Sequence, residues 1–231
     1  MPLGNNYWAH LLESDAYDSF SEIFIQQEYL DYLPEKPPLR ILDLGAHYGY
    51  FSLWIQSIHP ENDVHSLLIE PSPNCSRSLQ NLIKQKSLKN RFLFLPRAIG
   101  NAKRSTTSFY DRPHMASSCF SSSGNENLMD VSIISENEIL ETFAPPYDLI
   151  KCDIEGSEWE ILQQYSQLLE SSKHLTLEWH SWHNGGGGYQ QLVDKLQAIG
   201  YDITKSSEPT SALGREGQVG LILARNLKFK C

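Results

Sequence analysis

The chain has 231 residues, of which 40% are hydrophobic, 11% aromatic and 20% charged, with a formal net charge of −9. That length suits one domain with a substantial core and a short appendage, the composition excludes disorder over most of the chain, and the acidic balance disfavours non-specific nucleic-acid binding. A basic n-region with an apolar h-region is missing, as is any apolar run near 18 residues, and Cys75, Cys119, Cys152 and Cys231 contain no C-x-x-C pair; these features disfavour secretion, membrane spanning, a zinc knuckle and a disulfide framework, and a reduced cytoplasmic setting is expected.

Residues 1–35 place Phe20, Ile23, Phe24, Tyr29 and Leu30 at loose helical spacing and end at Pro34, Pro37 and Pro38, which break a helix. Residues 1–38 are therefore read as an extension of one or two short helices lying on the main domain, residues 39–231. From Leu39 short apolar runs alternate with helical periodicity: strand 39–44, helix 50–58, strand 63–70, helix 74–84 and strand 91–100, whose pairing Pro96 ends early. The basic run KQKSLKNR (84–91) reads as the solvated end of a helix and its loop. Residues 101–130, rich in Ser, Thr and Asn, lack periodicity and form either a disordered loop or a lid. Ser135 with Glu138 has the form of a capping box opening a helix to about Phe143. Strand 147–153, amphipathic helix 157–169, strand 174–180, helix 189–200 stopped by Gly200, and closing strands 201–206 and 220–226 follow. Such alternation means a parallel sheet covered on both faces.

Open α/β sheets bind ligands beyond the carboxyl ends of their strands, so the residues after each strand carry the functional information. DLGAHYGYF (43–51) offers Asp43 and a glycine turn of spacing G-x-x-x-G, with Gly45 and Gly49 leaving room for a ligand near the backbone. The spacing departs from the G-x-G-x-x-G of a pyrophosphate loop, and the acidic turn suits a ligand with a positive centre. Glu70, closing the strand in LLIEPS (67–72), can accept from both hydroxyls of a ribose. Asp153 and Glu155 follow the fourth strand, which itself contains Lys151. Glu178, His180 and His183 lie at or just beyond the fifth, before a mobile run, Gly185–Gly188.

The segments ILDLGAHYGYFSLWI, IEPSPNCSRSLQNL, RAIG, DLIKCDIEGSEWEIL and LTLEWH, in that order and spacing, resemble the FkbM family of class I S-adenosylmethionine-dependent methyltransferases from about Leu39 to Asn226. The glycine turn marks the superfamily; IKCDIEGSEWEIL is the specific part, and His47 stands where the family usually carries Asn. The resemblance implies an α/β, Rossmann-like seven-stranded sheet, mostly parallel, with helices on both faces and the last strand antiparallel. It also implies S-adenosylmethionine laid across the strand ends, with S-adenosylhomocysteine as product. Asp43, Gly45 and Gly49 would then lie at the methionine moiety, Glu70 on the ribose and Ala98 and Ile99 by the adenine, with Ala46, His47, Tyr48, Pro71, Ser72 and Asp153 also binding the cofactor.

A hydroxyl acceptor needs a base, and Asp153, Glu155 and His180 are the candidates. Each has a structural alternative: Glu155 as a helix cap, His180 as a hydrogen-bonded residue at the sheet edge, and Lys151 as the partner of an acid rather than a direct participant. Glu158 and Glu160 read as solvated helix positions, and Trp159, Ile161 and Leu162 as core. Asp153 with His180 could hold a divalent metal, but the acids fall on one short turn without an evident third ligand, so no metal is expected. The reaction implied by the resemblance is O-methylation of a small-molecule hydroxyl on a sugar, polyketide or other secondary metabolite, without nucleic-acid or membrane partners. N-methylation, a nicotinamide-dependent oxidoreductase and a non-catalytic cofactor-binding module stay open, the last if residues 101–130 occlude Asp153 and His180.

Overall fold

Strands that each return through a helix must pair side by side in one direction. In the computed structural model, which describes residues 1–4, 6–112, 117–119, 127–181, 188–211 and 217–229, they do so. β1 (Arg40–Leu44), β2 (His65–Ile69), β3 (Phe92–Leu95), β6 (Tyr147–Cys152) and β7 (Ser172–His180) pair in parallel. The sheet runs β3-β2-β1-β6-β7-β10-β8, with β10 (Gln218–Asn226) antiparallel to both β7 and β8 (Tyr201–Ser206), and a two-residue β9 (Thr210–Ser211) beside β10. This is the expected seven-stranded path with its last long strand reversed.

Period-two alternation divides the core. Leu42 and Leu44 of β1 join Ile150 of β6 and Leu175 and Leu177 of β7 on one face, under α4 (Glu136–Thr142), α5 (Glu158–Gln164), α6 (Ser166–Glu170) and α7 (Tyr189–Ile199). Ile41, Leu68 and Leu149 face the other way, against α2 (Tyr50–Ile58), α3 (Pro73–Ile83) and the N-terminal segment. That segment forms α1 (Ser14–Phe20), a continuing π-helical turn (Ser21–Gln26) and a 3-10 turn (Leu30–Tyr32). Phe20 stacks on Phe24 at 4.6 Å and meets Tyr50 edge-on, which fixes the segment over α2.

Two expectations change. The helix over 157–169 is two helices, because Tyr165 leaves helical geometry (φ −119°, ψ 51°) while its buried hydroxyl lies within hydrogen-bond reach of the Ile134 and Gly100 carbonyls at 2.9 and 3.2 Å. The described part of 101–130 is ordered: β4 (Thr106–Asp111) and β5 (Asn127–Ser132) form a separate antiparallel ladder, with β-branched residues and a buried Phe109. Residues 113–116 and 120–126 lie outside the description. Ser135 caps α4 as expected, its Oγ accepting from the Glu138 N–H at 3.2 Å. Among the described residues no helix is long and apolar enough to cross a membrane.

The turn after β1 is packed against α3. A Cβ on Gly49, at φ 76°, would lie 2.5 Å from Leu82 Cδ2 and 3.0 Å from Leu79 Cδ2. Backbone strain and overpacking then act together, so Gly49→Ala should cost at least about 2 kcal/mol. Urea unfolding of the variant should show a lower midpoint at unchanged slope; a wild-type midpoint would contradict this packing.

Candidate active site

The strand order reverses between β1 and β6, one leading outward to β2 and the other to β7, so the loops leaving their carboxyl ends part and form a crevice. A cleft of about 300 Å³ lies there. The two loops touch at its base: a Cβ on Gly45, at φ 72°, would sit 1.7 Å from the Asp153 carbonyl oxygen. The Asp153 N–H donates to the Leu44 carbonyl at 3.1 Å. The space at both glycines is thus taken by the protein, by a backbone carbonyl at Gly45 and by α3 leucines at Gly49, rather than kept open for a ligand.

One half of the cleft is apolar with a single acid. Gly45 and Ala46 donate their N–H groups to the Ile69 carbonyl at 3.0 and 3.1 Å, closing the turn. Glu70, 6% exposed, accepts from the His47 N–H at 2.9 Å and the Ser72 N–H at 2.8 Å. Burial pushes its carboxyl up to about 7, an effect moderated by those two N–H groups and by Lys151. His47, with φ 50°, lines the cleft; burial and the Lys151 charge push its imidazole down to about 4, and its Nδ1 is buried without a hydrogen-bond partner among the described residues. Ile69, Pro71, Ala98, Ile99 and Phe109 also line the cleft, together with the charged Arg97.

Four predicted cofactor residues stand behind this wall. Asp43 is fully buried, accepting from Ser52 Oγ at 2.7 Å; Ser72 donates through Oγ to Asp111 at 2.9 Å; Tyr48 stacks on Tyr50 at 5.7 Å; and Gly49 packs on α3. They hold the lining residues in place.

The other half is polar. Strand register puts Asp43, Lys151 and Thr176 side by side across β1, β6 and β7. Lys151, 4% exposed, donates to the Gly45 carbonyl at 2.9 Å and to Asp153 Oδ2 at 3.3 Å, with Asp43 Oδ1 at 3.9 Å. Burial alone would lower its pKa; Asp153, Asp43 and Glu178 outweigh that and raise it above the ordinary lysine value. Burial would likewise raise Asp153, but Lys151 and His180 hold its carboxyl below the usual range. Lys151 therefore pairs with acids, the structural reading of that residue.

The N-terminal segment supplies cleft residues that no motif or spacing could place there. The Tyr29 hydroxyl donates to Glu178 Oε2 at 2.8 Å and lies 3.3 Å from Asp153 Oδ2, and Glu22 and Glu28 also line the cleft. Burial and the neighbouring acids Glu28 and Asp153 push Glu22 up to about 7, and burial with the Asp153 charge pushes Glu178 well above the usual range. The only signal for these residues was their place beside the apolar Phe20 and Ile23, and no spacing links that segment to loops more than a hundred residues away.

Glu158 is the largest correction. It is fully buried, and Oε1 accepts from the Ile154 and Gly156 N–H groups, both at 3.1 Å, and lies 3.0 Å from His180 Nδ1. The N–H groups ahead of α5 are thus satisfied by Glu158, the role considered for Glu155. Glu155 instead adopts a left-handed backbone, φ 53°, and its carbonyl accepts from Ser118 Oγ at 2.7 Å. His180, 1% exposed, is not at an edge, since β7 runs between β6 and β10. Burial would lower its pKa, but Glu158 outweighs this and raises it to about 10. Glu160 is partly buried and raised by that burial to about 7, so it too is no fully solvated position, whereas Trp159, Ile161 and Leu162 are core as expected.

Asp153, Glu155 and His180 each present a ligand atom, all within 4.8 Å of one another, so the third donor absent from the sequence reading is present. All three line the cleft, as do Phe109, Ser117 and Cys119 from the described part of 101–130. His183 and Gly185–Gly187 lie outside the described residues.

A family model described as the Methyltransferase FkbM domain matches residues 43–203. No curated protein sequence matches the chain. Similar solved structures include methyltransferase FkbM from Methylobacillus flagellatus KT, with TM-score 0.54 and 15% identity over 91% of this chain and 50% of that one. Magnesium protoporphyrin IX methyltransferase (ChlM) from Synechocystis PCC 6803, bound to SAH, gives TM-score 0.53 and 12% identity over 97% and 90% of the two chains. The Methanococcus jannaschii fibrillarin pre-rRNA processing protein gives 0.51 and 14% over 84% and 68%. At these identities the likeness is one of fold, and the chain spans only half of the M. flagellatus protein.

The burial of Glu158 is directly testable. Truncating one member of a buried ion pair leaves the other uncompensated, so Glu158→Ala should lose about 3 kcal/mol or more in urea unfolding. Glu141→Ala, at an exposed position, should stay within about 0.5 kcal/mol of the parent. Equal small losses would restore the solvated-face reading.

Proposed function

The chain belongs to the FkbM methyltransferase family, and from that premise we propose that it transfers the methyl group of S-adenosylmethionine to a hydroxyl oxygen of a small molecule. The observation that supports this most is the division of one cleft into an apolar half with Glu70 presented by two backbone N–H groups and a polar half around Asp153 and His180. Glu70 is suited to receive the ribose diol, Ala98 and Ile99 to flank the adenine, and the turn Gly45–His47 to face the methionine moiety. The sulfonium brings its own activation, so the protein's part is alignment of acceptor and methyl at about 3 Å and exclusion of water. Asp153, Glu155 and His180, with Lys151 holding Asp153, orient the acceptor and handle its proton.

The acceptor half carries a surplus of acid side chains, Glu22, Glu28, Asp153, Glu155 and Glu178 against Lys151 and His180, rather than the clustered Lys and Arg that neutralise a phosphate backbone, which supports a small molecule over a nucleic acid. The same surplus favours a second reading, transfer to the nitrogen of a cationic amine after its deprotonation. Mass spectrometry of products formed with isotope-labelled methyl donor separates the two by the atom that carries the label. A nicotinamide role has no support from the glycine spacing or the family. A cytoplasmic setting accords with the free thiols of Cys75, Cys119 and Cys152.

Calorimetric titration should show binding of S-adenosylmethionine and S-adenosylhomocysteine and none of NAD; binding of NAD alone would overturn the proposal. Glu70→Ala should weaken S-adenosylhomocysteine binding by about tenfold or more, the cost of losing hydrogen bonds to a charged group. Asp153→Asn should leave that affinity within about threefold while lowering turnover.

The pH dependence has a definite sign. With Glu70 near 7, most free protein carries it protonated at pH 6, whereas a diol donates twice only to the ionised carboxylate. Binding then selects the ionised fraction, so affinity for S-adenosylhomocysteine should rise by about tenfold from pH 6 to 8 and level off above. Glu70→Gln should flatten the profile, and a flat wild-type profile would contradict the assignment.

A further inference from the structure

We propose that Asp153, Glu155 and His180 form a binding site for a divalent first-row transition-metal ion in the acceptor half of the cleft. Their ligand atoms lie within 4.8 Å of one another. A first-row ion with bonds of about 2.0–2.2 Å holds neighbouring donors about 3–3.5 Å apart, so the three groups reach one ion once the Asp153 and Glu155 side chains draw in. The donors come from two strand ends, the loop after β6 and the end of β7, and both are fixed independently of any ion.

The histidine makes this more than a group of acids. His180 is 1% exposed and belongs to a strand within the sheet, and its Nδ1 is engaged with the fully buried Glu158 at 3.0 Å. Its Nε2 lies 3.9 Å from Glu178 Oε1. A buried carboxylate on one nitrogen of a cleft-lining imidazole is the outer-shell arrangement that orients a metal-ligating histidine. Glu158 also binds the Ile154 and Gly156 N–H groups, so the same carboxylate shapes the loop carrying Asp153 and Glu155. Lys151 and Tyr29 both contact Asp153 through Oδ2, which fixes the carboxylate from one side.

One imidazole with two carboxylates suits Mn²⁺, Fe²⁺ or Zn²⁺ better than an all-oxygen ion such as Ca²⁺, and three protein ligands leave positions for an acceptor oxygen. Such an ion would act as a Lewis acid toward that oxygen and promote loss of its proton. The inference deepens the methyl-transfer reading and rests on it for its functional meaning, but not for its test.

The test is Mn²⁺ titration of the chelator-treated chain, following free Mn²⁺ by electron paramagnetic resonance. One Mn²⁺ should bind per chain, with Asp153→Asn and Glu155→Gln each weakening it by about tenfold or more, and Glu158→Gln by about 10–100-fold through His180. S-adenosylhomocysteine affinity, measured on the same samples, should be retained in Asp153→Asn and Glu155→Gln, which shows that they are folded. Absence of Mn²⁺ binding, or binding that survives both substitutions, would overturn the metal site. S-adenosylhomocysteine binding without Mn²⁺ binding would remove the metal and leave the methyl-transfer reading standing.

Discussion

A lysine inside a parallel core strand has to be answered by acceptors, and the site depends on how Lys151 is answered. An unpaired ammonium in that position would cost several kcal/mol. The Gly45 carbonyl, Asp153 and Asp43 all reach it, and two of those groups come from the strand and turn of β1. The lysine therefore joins the loops on either side of the crevice. Gly45, with no room for a Cβ against the Asp153 carbonyl, lets the same two loops close to contact. Apolar packing holds β1 and β6 together lower down; at their carboxyl ends the binding is electrostatic.

From that junction the cleft is completed by segments distant in sequence. Tyr29 brings the N-terminal segment onto Glu178 and Asp153, and Ser118 brings the segment after β4 onto the Glu155 carbonyl. Glu158 lies beneath both strand ends, satisfying the loop's N–H groups and holding His180. The polar half thus has rigid strand ends below and two added segments around it. Variation in those segments would reshape the polar half while leaving Glu70 and the turn after β1 in place, the usual division between scaffold and loops.

The sheet was legible because each strand is a short apolar run ended by a turn residue, and each core helix repeats apolar residues at helical spacing. Leu42, Leu44, Trp54 and Leu79 are buried where that pattern puts them. Glu70, Asp153 and His180 were legible because strand ends in such a fold face one crevice. Glu158 was not: an acid one residue into a helix looks solvated, and nothing local reveals that His180, 22 positions on, lies beside it. That Asp43, Tyr48, Gly49 and Ser72 stand behind the cleft lining was not legible for a related reason, since a motif names a turn but does not say which of its side chains face the crevice and which face α2 and α3. The β4–β5 ladder escaped notice because its exposed Ser and Thr hide the alternation that Phe109 alone anchors.

The central claim is that one crevice between β1 and β6 holds the methyl donor by Glu70 and directs its sulfur toward Asp153 and His180. A crystal structure with S-adenosylhomocysteine tests it most directly. The account predicts both ribose hydroxyls within hydrogen-bond distance of the Glu70 carboxylate, the adenine beside Ala98 and Ile99, and the sulfur facing the polar half. A ligand bound elsewhere, or bound here with its ribose turned away from Glu70, would contradict it.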